Sequence, residues 1–169
     1  MSLFYNILIE LVSFLVFLFG GLNKKTQLGL RGRQKSLTVL KQILQPSDKV
    51  IWLHCASLGE YEQGLPVFEA LKKQYQNHKF ILSFFSPSGY EIRKKNPITD
   101  IVIYLPLDRK SRVNSFLKLA NPKLVVFVKY DLWPNYLREL KRRQIKTVLI
   151  SALFRPSQPY FKFYGRWFK

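Results

Sequence analysis

IWLHCASLGEYEQGLP, residues 51–66, is the stretch that decides the fold. Val50-Ile51-Trp52-Leu53 is a short β-branched and aromatic run of the kind that forms a buried parallel strand. Cys55-Ala56-Ser57-Leu58-Gly59 follows, small enough to bring backbone close to a ligand, and Glu60 then opens a helix. A strand, a tight loop and a helix N-terminus together make an anion-friendly site in α/β proteins.

Outward from this stretch the same period repeats. Strands are expected at 50–54, 80–85, 101–105, 124–130 and 147–152, with helices at 58–74, 89–95, 110–120 and 134–144. Short apolar runs alternating with helical patterns argue an α/β fold: a Rossmann-like parallel sheet covered by helices on both faces. Ligands bind outside the carboxyl ends of such strands, which gathers 57–60, 86–89 and 129–133 on one edge. Neither a dinucleotide-type Gly-x-Gly-x-x-Gly nor a phosphate loop ending Gly-Lys-Ser/Thr occurs, so no motif points to a nucleotide at this edge.

Ahead of the sheet, residues 3–22 carry one charge, Glu10, and a helix of that length spans about 30 Å, the thickness of a hydrocarbon core. A membrane-anchor helix is expected over 1–22. Between 23 and 45 there are six basic residues and no acidic one, so 23–49 is expected to lie along anionic headgroups, with the rest of the chain in the cytoplasm. Asn6, Glu10 and Ser13 interrupt the apolar run and leave an interfacial or buried amphipathic helix as the alternative. The Rossmann-like domain is expected over 50–152, and 153–169 is an aromatic segment with four cations.

Twenty-eight Lys and Arg against ten Asp and Glu give a net charge of +18, which calls for an acidic partner: anionic lipid, a phosphorylated substrate or nucleic acid. Nucleic acid is disfavoured because the cations are not interleaved with aromatics in a binding motif. One cysteine and two histidines exclude an internal disulfide and supply no metal-ligand spacing, so no metal and no cofactor are expected.

Ser57-Leu58-Gly59-Glu60 fits a capping box, in which the serine caps the helix and the glutamate reaches back to it. Ser88-Gly89-Tyr90-Glu91 fits the same spacing one unit later, so spacing alone does not single out either glutamate. Glu60 is distinguished by its small-residue loop after the first strand, and the helix dipole should favour its charged form and suit it to act as a base. His54 and Cys55 are adjacent on a strand and therefore point to opposite faces; a packed cysteine and a loop-facing histidine are expected rather than a nucleophile pair. Asp131 sits near the cap of a helix opened by Pro134, and Lys129 ends an apolar strand, either snorkelling at its edge or placed for an anionic group.

Several spaced motifs together resemble one family. Trp52-Leu53-His54-Cys55-Ala56-Ser57-Leu58-Gly59-Glu60 is similar to the Trp-(Ile/Leu)-His-x-x-Ser-(Val/Leu)-Gly-Glu region of the 3-deoxy-D-manno-octulosonic acid (Kdo) transferases of lipopolysaccharide synthesis. Ser86-Pro87-Ser88-Gly89, Tyr104-Leu105-Pro106-Leu107-Asp108, Pro122-Lys123-Leu124 and Asp131-Leu132-Trp133-Pro134 resemble further segments of that family in the same order, and Arg31-Gly32-Arg33 its basic stretch. The resemblance implies the amino-terminal half of a GT-B glycosyltransferase, on the cytoplasmic side of the inner membrane, which moves Kdo from CMP-Kdo to a lipid A precursor with inversion and without metal. It also implies that Glu60 is the general base and that Ser57, Gly59, Ser86, Ser88 and Gly89 belong to the acceptor side.

Two departures accompany it. The family usually has Glu-Thr-Glu-Leu-Trp-Pro, whose first glutamate is given a transition-state role; here that position is Lys129, so the role passes to Asp131 or is lost. The chain also ends soon after the first Rossmann-like half, so it is expected to bind acceptor without catalysing transfer by itself, the second domain being absent. A membrane-tethered basic module that binds anionic lipid without catalysis is the alternative of a different class.

Overall fold

The computed structural model describes residues 2–155. Five parallel strands, β1 (Val50–Cys55), β2 (Lys79–Phe84), β3 (Ile101–Tyr104), β4 (Pro122–Val128) and β5 (Lys146–Ile150), form one sheet in the order β3-β2-β1-β4-β5. Every residue of the central β1 is buried, as its unbroken apolar run requires of a strand covered on both faces. Alternation along it divides the core. Val50 and Trp52 face a cluster with Val113, Phe116 and Tyr136, whereas Ile51, Leu53 and Cys55 face one with Tyr61 and Phe68. Helices α5 (Lys110–Ala120) and α6 (Pro134–Arg142) thus cover one face, and α3 (Leu58–Gln74) with α4 (Pro87–Arg93) the other. The expected α/β, Rossmann-like parallel sheet is present.

Element boundaries move by a few residues from the expected ones. α4 starts at Pro87, two residues early, because Ser86 caps it and proline is pre-set for a first helical turn. β4 stops at Val128 and not at 130, because Lys129, whose N–H still donates to the Ile150 carbonyl at 2.9 Å, turns to φ 58°, the left-handed region, and ends the strand.

The segment expected to lie along headgroups folds as α2 (Lys24–Ile43), with Gly29, Ser36 and Leu40 buried. Leu40 joins the Trp52 cluster, the Ser36 hydroxyl donates to the Tyr104 carbonyl at 2.7 Å, and Gly32 lies directly against the Tyr104 ring. Of its six cations, Lys24, Lys25, Arg31, Lys35 and Lys41 are exposed and Arg33 turns inward.

Helix α1 (Ser2–Phe19) ends in a 3-10 turn at Gly20–Leu22, and the chain then bends by 117° into α2. Among the described residues no single helix is long and apolar enough to cross a membrane. Two of the polar interruptions of α1, Asn6 and Glu10, and its Tyr5 attach it to the domain, whereas Ser13 donates to the Ile9 carbonyl of its own helix. Tyr5 donates to Asp108 Oδ2 at 2.7 Å, Asn6 accepts from Asn135 at 2.8 Å, and Glu10 pairs with Arg109 at 2.5 Å. Its apolar residues, among them Phe4, Ile7, Leu11, Phe14 and Phe17, are exposed.

Candidate active site

Strands β1 to β3 run out one way across the sheet and β4 and β5 the other, so the order reverses between β1 and β4, where α/β proteins place their ligands. The expected loops after β1, β2 and β4 lie side by side on this carboxyl edge, because those strands are neighbours. Ser57 is the N-cap of α3 by backbone, but its hydroxyl makes no capping bond. Glu60, at the third helical position, accepts instead from the N–H of Ala56, one residue before the cap. The expected capping box is therefore not formed, and the glutamate is drawn across the loop.

The expectation that the helix end would favour ionised Glu60 is corrected by its surroundings. Partial burial raises its pKa above the ordinary carboxylate range; the Ala56 N–H pulls it back, the charge of Asp131 pushes it up, and His54 and Lys129 pull it down. The charge of Asp131 thus acts on Glu60 as a like charge, and a base with a raised pKa is a stronger proton acceptor than an ordinary carboxylate.

Glu91, which shares the spacing, stands elsewhere. It pairs with Lys94 at 3.0 Å and accepts from the Tyr104 hydroxyl at 3.2 Å. Ser86 caps α4, accepting from the Ser88 N–H at 3.3 Å, and the two hydroxyls are 3.0 Å apart. Gly89 is buried, and a Cβ there would stand 2.2 Å from the Phe84 ring, so packing requires this glycine. Gly59 has open space where a Cβ would be, which leaves the amino end of α3 bare.

The His54 ring lies in the core and reaches the loop after β4. It is fully buried, with Nε2 2.6 Å from Asp131 Oδ2 and Nδ1 2.8 Å from Ser83 Oγ. Cys55 points to the opposite face, as alternation demands, and burial pushes its thiol far up, which removes it as a nucleophile. The sequence offered no signal for the His54–Asp131 contact, which joins residues 77 apart in the chain.

Arg33 is a second residue that sequence reasoning placed elsewhere. Its guanidinium donates to the Phe85 carbonyl at 2.5 Å and the Leu105 carbonyl at 3.2 Å, and lies 4.4 Å over the Phe85 ring. Phe85 in turn stacks on Trp133 at 5.0 Å, so α2, the β2 loop and the β4 loop are tied together over the sheet edge. Arg33 also lines an apolar groove of about 690 Å³ between α1, α2 and the loop after β3, where Leu11, Phe14, Leu30 and Leu107 lie beside Arg109 and Arg112. Glu60 does not line this groove; Arg33 lines it and also donates to the Phe85 carbonyl in the loop after β2.

Asp108, buried at the end of the Tyr104-to-Asp108 motif, accepts from the N–H groups of Asn135 and Tyr136 at 2.9 and 3.0 Å. It caps α6 from another loop and so fixes the segment that carries Asp131 and Trp133.

Residues 29–168 match the family described as 3-deoxy-D-manno-octulosonic-acid transferase (kdotransferase). A 3-deoxy-D-manno-octulosonic acid transferase of Aquifex aeolicus is 31% identical over 66% of this chain and 30% of its own length. One of Haemophilus influenzae is 33% identical over 63% of this chain and 25% of its own, and one of Chlamydia pneumoniae 31% identical over 79% of this chain and 32% of its own. The chain spans about a third or less of the length of these relatives.

Proposed function

The chain belongs to the 3-deoxy-D-manno-octulosonic-acid (Kdo) transferase family, and from that premise we propose that it supplies the acceptor side and the general base for transfer of Kdo from CMP-Kdo to a lipid A precursor. In this reading the Glu60 carboxylate takes the proton of the acceptor hydroxyl, the oxygen attacks the anomeric carbon of Kdo, and CMP leaves from the opposite face with the bonding electrons. CMP-Kdo is held mainly by the part of the relatives' length that this chain does not span.

The observation that carries the reading is Glu60 itself: a half-buried carboxylate with a raised pKa, drawn across the β1 loop at the reversal of strand order. Asp131 and Lys129 flank it, and Asp131 is assigned the acidic role that Lys129 cannot fill, since a cation accepts no proton. Ser57, Gly59, Ser86 and Ser88 stand on the same edge for acceptor contacts, and Gly89 serves by packing beneath them. The groove behind Arg33 suits acyl chains, with Arg109 and Arg112 for phosphates. The apolar side of α1 and the exposed cations of α2 suit an anionic membrane face, α1 lying in the interface while its polar stripe holds the domain. The division into an anchor element at 1–22, a basic segment at 23–49 and a domain at 50–152 is retained, with 23–49 serving both surface and sheet; most of 153–169 lies outside the described residues.

The test is Glu60→Gln in a chain completed with the remaining length of a relative. Transfer should fall at least ~10²-fold, the low end for a positioned base, with little change in melting temperature. Glu91→Gln, which removes only a surface pair and a tyrosine contact, should keep turnover. Near-normal transfer by Glu60→Gln would reduce Glu60 to a loop ligand of Ala56.

A further inference from the structure

We propose that His54 is a positioning residue that holds Asp131 in one orientation at the reversal of strand order, through a hydrogen-bond chain whose direction is set by Trp52. The indole N–H can only donate, and Trp52 Nε1 lies 2.7 Å from Ser83 Oγ. Ser83 therefore accepts there and has its own proton to give. His54 Nδ1 at 2.8 Å is a far better acceptor position than the Leu53 carbonyl at 3.5 Å. An accepting Nδ1 puts the proton of the neutral ring on Nε2, which donates to Asp131 Oδ2 at 2.6 Å.

Trp52, Ser83 and His54 are all fully buried, so water does not compete for these bonds. The same network accommodates a charged ring. If Nδ1 gains a proton it donates to Ser83 Oγ or to the Ser83 carbonyl, 3.2 Å away, while the hydroxyl turns to Leu53. In both states Nε2–H stays on Asp131. Among the described residues His54 is the one hydrogen-bond partner of the Asp131 side chain, and Oδ1 has none. Asp131 lies in the irregular segment after the left-handed turn at Lys129, where no ladder bond holds it. One oxygen is thus fixed by the core and the other is left for a ligand.

The positioning stands on this geometry alone; its consequence for transfer rests on Glu60 being the base. Both are separable by experiment on the 169-residue protein. In imidazole nitrogen NMR with the His54 ring neutral, the proton should sit on Nε2, and Ser83→Ala should weaken that preference. In carboxyl-carbon NMR the Glu60 midpoint should fall in Asp131→Asn, which removes a repelling charge. It should also move in His54→Phe, where the pull of the ring and the hold on Asp131 are both lost, and lie nearer wild type in His54→Gln, which lacks the ring but whose amide N–H reaches the place of Nε2, so the difference between these two variants reads the hold on Asp131.

A neutral ring protonated on Nδ1, or a Glu60 titration identical in wild type and His54→Phe, would overturn the proposal. If His54→Phe does not fold, the ring tautomer in wild type and the His54→Gln titration decide it. In a completed chain, His54→Gln should retain more transfer than Asp131→Asn. Failure of that last comparison with the NMR results intact would count against Glu60 as base and leave the positioning standing.

Discussion

Replacing Gly32 by alanine tests whether α2 is part of the domain, and the sign of the effect decides. In a helix that merely lies on a surface, exchanging a mid-helix glycine for alanine stabilises by about 0.5–1 kcal/mol, because glycine loses the most backbone freedom on folding. In the structure a Cβ at position 32 would stand 2.2 Å from Tyr104 Cδ2 and 2.4 Å from Cε2. That ring cannot swing away. It is 2% exposed, stacks on Tyr90 with centroids 4.1 Å apart, and donates its hydroxyl to Glu91 at 3.2 Å. Overpacking a tight site costs about 1–3 kcal/mol, and a contact this short belongs near the upper figure. The propensity gain offsets roughly a third of it, leaving a net loss of about 2 kcal/mol. For a chain of this size that lowers Tm by roughly 4–8 °C. Thermal unfolding followed by circular dichroism in mild detergent reads it, with Gly59→Ala as control, since open space surrounds that position. A Gly32→Ala variant as stable as wild type or more so would refute the docking of α2 against β3.

Asp108→Ala should destabilise by about 1–3 kcal/mol in urea titrations, because the N–H groups of Asn135 and Tyr136 and the Tyr5 hydroxyl lose their acceptor; Asp108→Asn, which keeps one oxygen, should cost less, and equal losses would contradict the cap. Glu139 is held to about 2 by hydrogen bonds from Arg142 and then Arg143. A depressed folded pKa stabilises above the unfolded value and the benefit disappears as pH falls, so the Tm gap between wild type and Glu139→Gln should be widest at neutral pH and close between 4.5 and about 2. A pH-independent gap would exclude the ion pairs as its source. Leu11→Glu combined with Phe14→Glu should abolish sedimentation with anionic vesicles, whereas Lys24→Glu with Lys25→Glu should weaken it chiefly at low salt. Binding that survives the first pair would remove α1 from the membrane surface.

What the sequence by itself determined is local and periodic. The alternation of apolar runs and helical patterns places five strands and the helices between them, since burial on two faces demands the first and amphipathic packing the second. Parity alone separates His54 from Cys55. The small-residue loop after β1 marks Glu60 as a candidate, and the resemblance to the Kdo transferases, not spacing, sets it apart from Glu91. What only the tertiary structure decided are pairings between residues distant in sequence. Asp131 meets His54 because the sheet order sets β4 beside β1, and Arg33 reaches the Phe85 and Leu105 carbonyls because α2 folds back on the sheet. Tyr5 meets Asp108 across 103 residues, one of the contacts that attach α1 to the domain. The raised pKa of Glu60 belongs to the same class: a helix dipole is written into local sequence, but the burial that raises the pKa, and the charge of Asp131 that adds to it, arise only when the chain has folded.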